Sequence, residues 1–157
     1  MNETPIDFSQ IHQIQLFGIT ILEPSTVISS LLMTFVCIYA FVKLKERAHL
    51  HRMYNLLRYF FLFMGIATAI GGVLGHGFLY VTGMRGKIPG WFASMIAVAL
   101  MERVAIWHLK PLIKQEFGKY LGWFNYIELA IFFVLTFITL NFVVVEVHAF
   151  YGLFLML

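Results

Sequence analysis

Between Pro24 and Val145 the chain carries four long apolar stretches, broken only where Lys and Arg cluster. A hydrocarbon core about 30 Å thick needs roughly 20 apolar residues per helix at 1.5 Å rise, and each stretch is that long. Lipid offers the backbone no hydrogen-bond partner, so spanning segments must be helices or a closed barrel. A barrel strand would alternate polar and apolar residues, and these stretches do not. The fold class this implies is all-α: a polytopic transmembrane helix bundle. The chain has 157 residues, of which 61% are apolar and 12% charged, with a mean hydropathy of +0.84. That leaves room for four or five helices in one domain and almost none for a soluble domain.

Span one runs from about residue 24 to 42, with Pro24 suited to a first helical turn. Span two covers about 56–81. Pro89-Gly90 opens span three, which reaches about 109 and is closed by Pro111. Span four covers about 120–142. Residues 121–157 hold no Lys, Arg or Pro. As one helix they would reach about 55 Å, too long for a single crossing. A break is therefore expected near Asn141–Glu146, followed by a partial fifth span over 147–157. Either a partner helix completes that segment, or the sequence is the front part of a longer protein. Residues 1–22 are polar, then mixed, and read as a short interfacial helix. Met1-Asn2-Glu3-Thr4-Pro5 lacks the basic start of a secretory signal.

The net charge of +3 comes from basic residues that sit between spans, with no stripe of the kind that binds nucleic acid. The first linker region carries Lys43, Lys45, Arg47, Arg52 and Arg58, and the one after span three carries Lys110, Lys114 and Lys119. The second linker has only Arg85 and Lys87, and the N-terminal segment none. The positive-inside rule then places the N-terminus outside and both basic linkers in the cytoplasm, as for a bacterial inner-membrane protein. Trp91 would mark the outer interface, and Trp107 and Trp123 the inner one. The lone Cys37 lies within span one, so no internal disulfide can form.

Ionisable groups inside a membrane are expensive, and each is a functional candidate. By depth they fall into an outer set (Glu23, His76, Glu146 and His148) and an inner set (Glu102, Arg103 and Glu128). Thr68, Gly72 and His76 are spaced four apart and share a face, with Ala67, Gly71 and Gly75 on the adjoining ridge. Small residues at this spacing let another helix pack closely, so His76 should point into the bundle. It is then either a metal ligand or proton-transfer group, or a histidine that fixes a helix contact. If the last helix returns from outside, His148 reaches a depth similar to His76. Glu23 stands at the mouth of span one, above Thr26, Ser30, Thr34 and Cys37. Two imidazoles with Glu23 or Glu146 as accessory ligand or base would make an open zinc site. Such an ion makes hydroxide available for hydrolysis near neutral pH. Against this, Glu23 reads more simply as an acid favouring a helix N-terminus, and Glu146 as a solvated loop acid.

The inner set has a plainer reading. Asn125, Glu128, Thr136 and Thr139 form a polar stripe on one side of span four. Glu102 lies at a similar depth and could meet that stripe or an arginine from a neighbour. Glu102 and Arg103 are adjacent and do not face each other. Arg103 could lie over Trp107 one turn on. Structural pairing, rather than a proton path, is the main expectation here.

Gly75-His76-Gly77 in span two and the acidic start of span one resemble bacterial relatives of a seven-helix transmembrane hydrolase superfamily. That superfamily includes alkaline ceramidases and the adiponectin and progestin receptors. The resemblance covers residues 22–82 at most. It implies a zinc ion held by histidines from an early and a last helix, with His76 as the early one. Thr68 stands where such a family places a Ser, no intramembrane Asp is present, and the last two helices have no counterpart. The resulting expectation is a zinc-dependent hydrolase of lipid-like amides or esters, with His76 and His148 as metal ligands. Two other classes fit the same residues. One is a non-enzymatic bundle, such as a small transporter, assembly factor or complex subunit. The other is a haem-binding electron carrier using His76 and His148 as axial ligands.

Overall fold

The computed structural model describes residues 11–155. Gln13–Leu16 (β1) and Ile19–Leu22 (β2) form an antiparallel hairpin in the register Gln13 opposite Leu22 and Leu16 opposite Ile19. Its two-residue turn is Phe17-Gly18, both at positive φ (52° and 80°). Two such residues match the twist of paired strands, and glycine takes that conformation without steric cost. The interfacial helix expected over 1–22 is thus a hairpin where the structure describes it. The alternation Gln13-Ile14-Gln15-Leu16 is a period-two pattern.

Six helices follow. The helix α1 spans Pro24–Lys45, with Pro24 in its first turn, and α2 spans Arg52–Gly72. The latter runs on into a π-helical turn, Val73–Gly77, and then a single turn, α3 (Leu79–Thr82). A 3₁₀ turn at Met84–Lys87 leads into α4 (Ile88–Leu109). The longest helix, α5, spans Gln115–Thr139, and α6 spans Phe142–Leu155. Four of these, counting the π and 3₁₀ turns, are long and apolar enough to cross a membrane, and α6 is a shorter apolar helix. The molecule is an all-α bundle with a small N-terminal hairpin.

The break before the last helix lies at the early edge of the expected range, at Leu140 and Asn141. Leu140 adopts the left-handed conformation (φ 48°) and its N–H donates to Thr136 O at 2.9 Å, closing α5. Asn141 then starts α6: its Oδ1 accepts from Val143 N at 3.0 Å. Asparagine is among the best residues for this duty, because its side chain satisfies a donor the helix cannot. Glu146 consequently belongs to the helix and not to a loop.

Helix α2 packs between α1 and α4, while α4 packs on its other sides against α5 and α6, which also touch each other. The two small-residue ridges of α2 divide between its neighbours. On the α1 side, Gly72 lies so close to Ser30 that an added Cβ would collide with that side chain, and Gly65 stands against Cys37. Thr34 and Thr68 join their hydroxyls across the same contact at 2.9 Å. On the α4 side, Ala67 and Gly71 present backbone to Gly90, where a Cβ would sit 3.2 Å from Gly71 N. Trp91, expected near the outer interface, turns its ring into the bundle. It is buried with Met95 and Val145, and its ring lies 5.5 Å from that of Phe142. This core fixes α6 against α4.

Candidate metal centre

Two members of the expected outer set, Glu23 and His76, meet. His76 Nδ1 lies 2.9 Å from Glu23 Oε2, both side chains about one-third exposed. Glu23 reaches it from a left-handed residue just before α1 (φ 44°), and its Oε2 also accepts from Thr26 Oγ1 at 3.2 Å. His76 lies within the π turn, an insertion into helical pairing that often marks functional sites. The pair has two members only. Among the described residues, the group of three or more metal-ligating side chains that converges lies elsewhere.

That group is Glu102 on α4, Glu128 on α5 and His148 on α6, each offering one ligand atom within 4.8 Å of the others. All three are buried: 2%, 5% and 0% exposed. His148 Nε2 stands 3.4 Å from Glu128 Oε1. Glu102 Oε1, both oxygens of Glu128 and both ring nitrogens of His148 have no hydrogen-bond partner. Orphaned buried polar atoms are rare, and an ion is one of the few things that explains a cluster of them.

The helices hold these side chains firmly. Asn125 Nδ2 donates to Glu102 Oε2 at 2.6 Å and to Ala99 O at 3.2 Å. Arg103 Nε donates to Asn125 Oδ1 at 2.8 Å, and its Nη2 to Gly122 O at 3.1 Å. Asn125 thereby fixes one oxygen of Glu102 and leaves the other free. Gly152 lets α6 approach, since a Cβ there would run into Glu102 Oε1 and Val98. The His148 ring is oriented by the edge-on ring of Phe132, 5.1 Å away. A pocket of about 40 Å³ beside Glu102 and Asn125 is closed by Ile106, Leu109, Leu121 and Phe124.

The grouping differs from the one read from sequence in three respects. His148 meets Glu128 and Glu102, not His76, so the sorting into outer and inner halves separated residues that the fold unites. Glu146 is exposed. It precedes His148 by two residues, about 200° around one helix, and so cannot share its site. The ring of His148 is enclosed by Glu128 and Phe132. That leaves no open face for a haem shared with His76. Within the inner set, the expected structural pairing of Glu102 with the span-four stripe forms through Asn125. Thr136 belongs to the buried stripe, donating to Met95 Sδ at 3.7 Å, while Thr139 is exposed. Arg103 stacks on Tyr126 (3.6 Å to the ring centre), not on Trp107.

A family model described as a family of unknown function (DUF6962) matches residues 25–157. No curated protein and no solved structure matches the chain.

Proposed function

This chain belongs to the DUF6962 family, and we propose that it is a membrane-embedded metal protein whose working centre is a zinc ion held by Glu102, Glu128 and His148. The observation that carries this reading is the set of oxygens and nitrogens without a hydrogen bond on three side chains that are 5% exposed or less, two of them, His148 Nε2 and Glu128 Oε1, facing each other at 3.4 Å. An uncompensated buried charge costs several kcal/mol. One divalent cation would compensate both carboxylates and use the imidazole as well. The donor set supports the identity: imidazole and carboxylate without thiolate suits zinc, whose tetrahedral ligand atoms stand about 3.4 Å apart. His148 and Glu128 are at that separation already.

Three protein donors leave a fourth position, the arrangement of hydrolytic zinc sites. When bound, the ion would activate water and polarise a carbonyl. The chain's own part is to orient Glu102 through Asn125 and Arg103, and to keep a small pocket beside it that has room for water. On this reading the protein is a hydrolase of lipid-like amides or esters, which would reach the centre from the bilayer. The distribution of basic linkers favours an N-terminus outside. A second, non-enzymatic reading is favoured by the complete enclosure of His148: the ion would only tie α4, α5 and α6 together.

Total-metal analysis tests the centre. Purified protein is expected to hold about one zinc per chain. His148→Ala and Glu128→Gln should lose it, and His76→Ala should keep it. Protein that neither carries zinc nor takes it up on titration would overturn the proposal. Release of fatty acid from N-acyl or O-acyl lipids, lost in His148→Ala, separates the hydrolase from the structural reading. Zinc-dependent thermal stability without such release supports the latter.

A further inference from the structure

At the end of the bundle that carries the basic loops, a cavity of about 190 Å³ opens between α2, α4 and α5. Its polar wall is cationic: Arg52 from α2, Arg103 from α4 and Lys110 from the turn after α4. Arg52 and Lys110 both lie over the Trp107 ring, at 5.5 and 4.6 Å from its centre. Arg103 is held from behind by Asn125 and the Gly122 carbonyl. Among the described residues none of the three has a carboxylate within ion-pair distance. Gathering three cations on one cavity without a counter-charge is repulsive, and the arrangement is complementary to an anion.

The surroundings say which kind. A second cavity of about 190 Å³ flanks Arg103 and shares Gly118 and Gly122 with the first, and it adds Trp123 and Lys119, the latter paired with Glu116 at 2.9 Å. Trp123 in turn belongs to an apolar groove of about 450 Å³ with Tyr120, Leu121, Phe124 and Ile127. A phosphate site that continues past an interfacial tryptophan into an apolar groove along a spanning helix has the layout of a headgroup followed by an acyl chain. Basic pockets between helices at the membrane surface hold anionic headgroups in this way. We propose that this basic cavity binds the phosphate of an anionic phospholipid, with a chain along Tyr120–Ile127. The proposal is independent of any ion at Glu102.

Two perturbations leave the rest of the molecule intact. Arg52→Ala with Lys110→Ala removes charge. Gly122→Leu fills space, because a Cβ at Gly122 meets no other atom within 4 Å. Arg103 is left alone because it supports Asn125. Protein in detergent would be offered phosphatidylglycerol or phosphatidylcholine and its lipid adducts counted by native mass spectrometry, with helix content checked by circular dichroism. Phosphatidylglycerol is expected to be retained preferentially, to lose about thirtyfold in affinity in the double variant, and to be lost in Gly122→Leu. Equal retention of the two lipids, or undiminished binding in both folded variants, overturns the proposal. Displacement of phosphatidylglycerol by millimolar inorganic phosphate overturns the lipid assignment in favour of a free phosphate site.

Discussion

Gly152 and His148 show how a single residue decides whether this centre exists. A methyl group at Gly152 has no room between Glu102 and Val98. Overpacking of this kind costs about 1–3 kcal/mol. Gly152→Ala is therefore expected to lower the thermal midpoint and, by pushing Glu102 aside, the zinc occupancy. Unchanged metal content at full helicity would show that Glu102 is not a ligand. At this scale the sequence was half legible. Glu102, Glu128 and His148 all stood out as intramembrane ionisable groups, yet His148 was grouped with His76 because both sit near the same side of the membrane by residue count. Depth along a helix says little about lateral neighbours. What would have helped is the angular test: Glu146 and His148 cannot share a face once both lie in one helix. The signal for that helix was Asn141, a good N-cap directly before an apolar run.

Between elements, the glycines of α2 set how closely its neighbours approach. Gly72→Ala collides with Ser30 and should weaken the α1–α2 contact by about 1–3 kcal/mol. Ser30→Gly should restore part of that loss, a coupling of roughly 0.5–3 kcal/mol between touching residues. Additive effects in the denaturation of the four proteins of that cycle would contradict the packing. His76→Ala removes the tie between the π turn and Glu23. A pair one-third exposed contributes about 1 kcal/mol or less, so the expected change in melting is small. The two ridges of α2 were readable from spacing four alone. Which helix each ridge faces was not, because chain order does not say that α4 lies beside α2 while α5 and α6 lie beyond it.

For the whole molecule, hydropathy and Pro positions were enough to place four long helices, since lipid permits few alternatives. The basic linkers add an orientation that can be checked. In a Cys37→Ser background, Arg85→Cys should react with a membrane-impermeant maleimide from outside intact cells, and Ala48→Cys only after lysis. The reverse pattern would invert the proposed topology. The lateral packing of Trp91 was not readable, because an aromatic near a helix start can serve a core as well as an interface. The return of α6 brings Phe142 and Val145 onto its ring, beside Met95. That same return carries His148 to the two carboxylates, so the centre is a property of the assembled bundle. Zinc K-edge X-ray absorption on the zinc-loaded protein examines it most directly. The account predicts a shell of nitrogen and oxygen at about 2.0–2.1 Å with one imidazole and no sulfur, with the imidazole signal removed by His148→Ala and kept in His76→Ala. An imidazole signal that survives His148→Ala would contradict it.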